Sequence, residues 1–172
     1  MGNLYSDGIE SDELEILECV LQISFRDRIK RGGPIIPPSQ LKKPKQHWTH
    51  RFIAFPFHSN EPGHWTLCIA VNMKWKRGCS QAELEAMRSG HWTLLHFDSL
   101  SKNSKIEQDA IEYARHIFEL TAEATVDSIQ VPALKQPAGS MDCGLYPFHF
   151  LRVFLTDREK YLELCLQVRQ IN

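Results

Sequence analysis

The sequence lacks the marks of secreted, membrane-spanning and polyanion-binding proteins. It contains no apolar run long enough to cross a bilayer, and its five cysteines form no CxxC pair and follow no signal peptide. With 20 Lys and Arg against 21 Asp and Glu, the net charge of −1 argues against a general nucleic-acid binder. We therefore expect an intracellular protein, in the nucleus or the cytoplasm, with reduced thiols and neither a membrane nor a nucleic-acid partner.

A metal site is also not expected. The histidines at positions 47, 50, 58 and 64 lie close together in the sequence, but no pair of thiolates and no familiar ligand spacing accompanies them. The sequence therefore implies neither a metal nor another cofactor.

The length of 172 residues, with 42% hydrophobic side chains, is typical of a single domain with a substantial core. Apolar periodicity predicts helices over 12–31, 104–121 and 157–171, a short helix capped by Ser80 and Glu83, and strands over 51–57, 64–72, 91–98 and 128–134. Because these helices and strands do not alternate strictly, the pattern indicates an α+β fold, with a central mixed sheet flanked by helices.

Cys143 is the candidate nucleophile. Loop residues precede it, and helical spacing of apolar side chains follows it, so we expect a helix to begin near Gly144, with a first turn distorted by Pro147. The start of a helix favours the thiolate form, which is the form that attacks. A buried structural cysteine is the alternative interpretation.

His64, Asp98 and Gln136 are the candidate partners of that thiol. If the strands over 64–72 and 91–98 pair antiparallel, His64 comes beside Asp98, whereas His91 lies about 23 Å away along its own strand. In this interpretation His64 takes the thiol proton, Asp98 orients the imidazole, and Gln136 with the Cys143 N–H binds an oxyanion.

These residues occur in a recognisable order: His64-Trp65, Asp98-Ser99-Leu100, Gln136-Pro137, and Asp142-Cys143-Gly144-Leu145-Tyr146. The set resembles the ubiquitin-like-protein-specific cysteine proteases of the Ulp/SENP type, over about residues 51–155. The resemblance implies a papain-like fold with a rearranged catalytic order, in one catalytic domain over 1–172. Its residues 1–50 would be an N-terminal helix and a Pro-rich loop, and 51–172 the catalytic core.

The resemblance also implies a function. A monomeric isopeptidase or C-terminal hydrolase would cleave after the Gly-Gly tail of a ubiquitin-like modifier, most readily SUMO, with NEDD8 or ubiquitin as other possible substrates. Trp65 is similar to the tryptophan that walls the family's substrate tunnel, and only glycines could thread so close to it. Gly144 is expected to keep the approach to the thiol open.

Two alternatives remain open. One is a deubiquitinase or deneddylase of the same fold, and the other is a catalytically silent module that binds a ubiquitin-like protein. The spacing from Gln136 to Cys143 is one residue longer than the family pattern. In addition, the long excursion between the two strands is interpreted as an insertion near the substrate surface.

Overall fold

A five-stranded mixed sheet forms the centre of the protein. The computed structural model describes residues 13–16, 47–60, 63–100, 104–137 and 142–171. The strands are β1 (Leu14–Ile16), β2 (Phe52–Asn60), β3 (Gly63–Val71), β4 (His91–Phe97) and β5 (Thr125–Val131), and they lie side by side in chain order. The two inner pairings, β2 with β3 and β3 with β4, are antiparallel, while the outer strands β1 and β5 run parallel to their neighbours.

Four α-helices and three short 3₁₀ turns complete the described chain. The helices are α1 (Gln81–Ala86), α2 (Ser104–Ile117), α3 (Tyr146–Thr156) and α4 (Arg158–Ile171). The 3₁₀ turns span His47–Thr49, Met87–Ser89 and Asp142–Gly144. No helix among the described residues is long and apolar enough to cross a membrane.

The core has two layers, one on each face of the sheet. On one face, Phe52, Leu95 and Phe97 pack with Phe154 of α3 and Tyr161 of α4. On the other face, a second cluster joins the sheet to α2; its largest members are Trp48, Phe55, Phe57, Trp92, Tyr113 and Phe118. The α+β class with a mixed central sheet and flanking helices is thus confirmed.

Most predicted elements are present with shifted ends, but the N-terminal helix prediction is wrong where it can be checked. Residues Leu14–Ile16 form β1, which pairs with β2, and the Phe52 N–H donates to the Glu13 carbonyl at 2.8 Å. Leu14 is buried in the sheet's core, so tertiary pairing overrides the helical spacing of the leucines. The rest of the predicted helix, over 17–31, and the Pro-rich loop before residue 47 lie outside the described residues.

The helix after Cys143 begins later than expected. Residues Asp142–Gly144 form a 3₁₀ turn, and α3 starts at Tyr146 with Pro147 as its second residue. A proline there removes no helical hydrogen bond, because the first N–H groups of a helix have no partner within it. The irregular backbone that we expected in the first turn of the helix thus lies before the helix, in the 3₁₀ turn that carries Cys143.

The excursion between β3 and β4, residues 72–90, lies at the opposite end of β3 from His64. Strand β3 is nine residues long, which is about 26 Å at the usual rise, so the excursion is far from the candidate site. Its Trp75 Nε1 donates to the Thr49 carbonyl at 2.7 Å, and Arg88 lies over the Trp48 ring. This segment packs against the chain around residues 47–50, and its position near the substrate surface stays a prediction.

Candidate active site

A buried histidine–aspartate pair lies where β3 begins and β4 ends. His64 Nε2 is 2.8 Å from Asp98 Oδ1, and both side chains are only 1% exposed. The antiparallel register ends at Leu67 opposite Phe97, and Asp98 follows Phe97 immediately. The two side chains meet diagonally across the ends of the strands, which is within the reach of cross-strand neighbours. The predicted contact of His64 with Asp98 is therefore present.

The Asp98 carboxylate is held in its ionised form. Burial by itself raises the pKa of Asp98, but the hydrogen bonds from His64 and from the Leu100 N–H outweigh it, so the pKa lies below its ordinary value. The Leu100 N–H donates to the same oxygen, Oδ1, at 2.8 Å. This second donor fixes the carboxylate plane and keeps Oδ1 directed at the imidazole.

The described residues include four cysteines, all free thiols, and these lie in different parts of the structure. Cys68 and Cys165 are fully buried, and burial raises the pKa of Cys68 far above its ordinary value. Cys79 is half-buried but belongs to the excursion at the far end of β3. Cys143 is half-buried in the 3₁₀ turn that packs against β3, the strand that carries His64.

Trp65 lies beside the turn that carries the thiol. A Cβ added to Gly144 would lie 3.8 Å from Trp65 Cδ1, with no other neighbour within 4 Å. Trp65 is half-buried, and its ring stacks at an angle on His58, with 4.7 Å between the ring centroids. The Trp65 indole thus packs beside Gly144, the residue that follows Cys143. Gly144 has no side chain that could fill the space next to the indole.

Gln136 is tied to the turn that follows Asp98. Its backbone N–H donates to the Ser99 carbonyl at 2.9 Å, and the Ser99 hydroxyl donates to Gln136 Oε1 at 3.0 Å. The neighbouring Lys135 ammonium bonds the carbonyls of Asp98, at 3.4 Å, and of Leu100. The loop after β5 and the turn after β4 therefore form one hydrogen-bonded unit.

The structure brings His64 and Asp98 into contact, places Gln136 on the Asp98 turn, and packs the Cys143 turn with Gly144 beside Trp65. The hydrogen bonds of these described residues do not include one between the His64 ring and the Cys143 sulfur. Residues 138–141, which contain the lengthened part of the loop, lie outside the described residues.

Three other histidines, His91, His96 and His149, lie in different environments. His91 pairs with Asp127 at 3.2 Å at the other end of β4, and His149 is exposed on α3. His96 is fully buried, and desolvation lowers its pKa.

Sequence reasoning did not assign a role to Ser99 or Lys135. Ser99 is part of the Asp-Ser-Leu match, but that match indicates no partner for its side chain. Its buried hydroxyl bond to a residue 37 positions away depends on the pairing of β5 with β4, which no local pattern specifies. Lys135 follows an exposed Leu134 and carries no local signal at all.

An α+β domain with a buried His–Asp pair beside a cysteine-bearing turn has the layout of a thiol hydrolase. The chain belongs to the Ulp1 protease family: the family's model of the C-terminal catalytic domain matches residues 35–163. It is therefore a domain of the cysteine peptidase type. No curated protein matches the chain.

Three solved structures are similar to the chain at low sequence identity, and the first of them shares its fold. A de-sumoylating protease superposes with a TM-score of 0.58 at 17% identity, over 92% of this chain and 57% of that one. The catalytic domain of a Ulp1-like SUMO protease from Chaetomium thermophilum matches at 0.42 and 19%, over 81% and 50%. ChlaDub1 from Chlamydia trachomatis matches at 0.35 and 17%, over 81% and 65%. The chain thus spans between half and two thirds of the length of these proteins.

Proposed function

We propose that this chain is a thiol peptidase that cleaves after the C-terminal Gly-Gly of a ubiquitin-like modifier, with SUMO as the preferred modifier. The observation that carries the proposal is the buried 2.8 Å contact of His64 with Asp98, at the end of the strand against which the Cys143 turn packs. Membership of the Ulp1 family and the fold of the de-sumoylating protease support it.

The roles follow from the atoms that each side chain offers. His64 donates through Nε2 to Asp98, which leaves Nδ1 as the nitrogen that accepts the thiol proton. The Cys143 sulfur then attacks the carbonyl carbon of the terminal glycine, and the oxyanion is bound by the Gln136 amide and the Cys143 N–H. The imidazolium returns its proton to the departing amine, which leaves a thioester. A water molecule, deprotonated by His64, hydrolyses the thioester and restores the thiol.

Trp65 and Gly144 supply the substrate restriction in this proposal. The indole stands within van der Waals distance of a side chain at position 144, so a substrate residue next to the thiol has little lateral room. Two glycines, which carry no Cβ, suit such a passage, whereas branched residues would collide with the indole. The chemistry requires no metal and no cofactor, and we propose that it proceeds in a monomer, in the nucleus or the cytoplasm.

Modifier-derived probes test the proposal. SUMO, NEDD8 and ubiquitin, each ending in a propargyl group or a vinyl sulfone, are incubated with the chain and with two cysteine variants. We expect SUMO-probe capture by the wild type and by Cys79→Ala, and none by Cys143→Ala. The Cys79 variant is the matched control, because Cys79 is the other half-buried free thiol among the described residues.

The alternatives give different outcomes in the same experiment. Capture by the NEDD8 or ubiquitin probe in place of SUMO would identify a deneddylase or deubiquitinase and overturn the SUMO preference. Stable association with a modifier, without covalent capture, would overturn the peptidase and identify a binding module. Capture that persists in Cys143→Ala would move the nucleophile to another thiol.

A further inference from the structure

Ser99 is a buried residue with a hydroxyl bond that the proposed chemistry has not used. Its side chain is 1% exposed, and its Oγ donates to Gln136 Oε1 at 3.0 Å. The contact joins two loops that begin at the same end of the sheet, because β4 and β5 are parallel and their last residues, Phe97 and Val131, lie side by side. The Ser99 hydroxyl thus connects the turn that follows Asp98 to the Gln136 amide, which is proposed to bind the oxyanion.

A glutamine amide has two ends with opposite hydrogen-bonding character. The Oε1 end accepts, and the Nε2 end donates, so only one of the two orientations can stabilise an oxyanion. In the structure the Ser99 hydroxyl donates to Oε1, so Oε1 faces Ser99 and Nε2 faces away from it. The backbone bond from Gln136 N–H to the Ser99 carbonyl, at 2.9 Å, holds the base of the same side chain.

We propose that Ser99 is a positioning residue that orients the Gln136 amide, so that Nε2 is directed at the developing oxyanion. This inference rests on the proposed function and deepens it. Ser99 touches neither the thiol nor the substrate; it acts through Gln136. Lys135, which bonds the carbonyls on either side of Ser99, stiffens the same turn.

A double-mutant cycle on hydrolysis separates positioning from general stability. Removing an oxyanion donor costs about 10²- to 10³-fold in kcat, so Gln136→Ala should lose that much. Losing one neutral hydrogen bond corresponds to about a tenfold effect, so Ser99→Ala should lower kcat about tenfold. In the Gln136→Ala background, Ser99→Ala should cost nothing further. The substrate is the C-terminal fluorogenic amide of the modifier that captures Cys143.

Two further measurements guard the interpretation. Alkylation of Cys143 by iodoacetamide forms no oxyanion, so its rate should be unchanged in Ser99→Ala. Ser128→Ala is the matched control, because it also removes a serine hydroxyl, here from the middle of β5, and this hydroxyl makes no hydrogen bond in the described residues. It should leave both rates unchanged.

The same tenfold loss with and without Gln136, or an equal fall in the alkylation rate, would overturn the proposal. Side-chain ¹⁵N relaxation provides a readout that needs no activity. The Gln136 amide should be ordered in the wild type, with an order parameter falling below about 0.6 in Ser99→Ala. An amide equally ordered in both would refute the positioning role. A wild type that fails to hydrolyse any modifier amide would instead refute the proposed function, and the relaxation result would still decide the role of Ser99.

Discussion

The substitution Asp98→Asn tests how the acid acts on His64. Asparagine has nearly the same shape as aspartate, but it carries no charge and presents two chemically different ends. If its oxygen faces His64, the imidazole still donates through Nε2 and keeps Nδ1 as the base. If its NH₂ group faces His64, the imidazole must accept at Nε2, and the proton moves to Nδ1, where it blocks the reaction.

The structure favours the productive orientation. Oδ1 of Asp98 accepts from the Leu100 N–H at 2.8 Å as well as from His64 at 2.8 Å. An NH₂ group at that place would still face the Leu100 N–H after the imidazole has changed tautomer, and two donors left without an acceptor cost about 1 to 3 kcal/mol. The expected loss of activity in Asp98→Asn therefore comes only from removal of the negative charge. A hydrogen bond to a charged group is stronger than a neutral one by about 1 to 2 kcal/mol, which corresponds to about 5- to 30-fold in kcat/KM.

The assay is hydrolysis of the modifier's C-terminal fluorogenic amide, with Asp98→Ala and Asp127→Asn measured beside Asp98→Asn. Asp127 also pairs with a histidine, His91 at 3.2 Å, but at the other end of β4, so its variant should be fully active. Asp98→Ala, which leaves His64 without its partner, should be much less active than Asp98→Asn. A loss of about 10⁴-fold in Asp98→Asn, the size associated with the wrong tautomer, would refute the role given to the Leu100 N–H.

Three other perturbations have expected outcomes. The pKa of Asp98 lies below its ordinary 3.8, so its contribution to stability is complete above that pH and is lost as the pH falls towards the lowered value. The free energy of urea unfolding should therefore depend less on pH in this range in Asp98→Asn than in the wild type. An equal pH dependence in the two proteins would contradict this. Phe154→Ala should lower the free energy of unfolding by about 3 to 5 kcal/mol, because Phe154 is fully buried against Phe52, while the exposed Phe148→Ala should change it by less than about 0.5 kcal/mol; similar values for both would refute the packing argument. Gly144→Ala should fold normally, because its Cβ would only touch Trp65, but that Cβ narrows the passage, so KM for the modifier amide should rise, and it should rise further in Gly144→Leu; alkylation by iodoacetamide should be spared in both, and wild-type KM values in both variants would argue against a narrow passage.

Sequence alone predicts the parts of this fold that depend on local patterns. The inner strands carry short apolar runs between turn residues, and the capping box of Ser80 and Glu83 is present as expected. The antiparallel pairing of β3 with β4 was sufficient to place His64 near Asp98. By contrast, Leu14–Ile16 becomes a strand only because β2 offers an edge, and no periodicity within three residues can signal that.

The roles of Cys143, His64, Asp98 and Gln136 stay predictions, although their placement supports them. What sequence could not provide is the connection between the loops. This connection depends on the parallel register of β5 on β4, which is set by side-chain burial along both strands. It consists of the hydrogen bond from Ser99 to Gln136 and the bonds from the Lys135 ammonium to the carbonyls of the Asp98 turn. The start of α3 was predicted two residues early, because the 3₁₀ turn and the α-helix share the same apolar spacing at so short a length.

The parallel pairing of β4 with β5 has a consequence for how this protein can change over evolutionary time. A deletion of one residue within β5 would reverse which of its side chains face the core, and it would also draw Gln136 away from the Asp98 turn. The segment between β3 and β4 is under no such constraint, since it joins the strands at their opposite ends. Length variation among related proteins should therefore accumulate between β3 and β4 and be rare between Thr125 and Gln136.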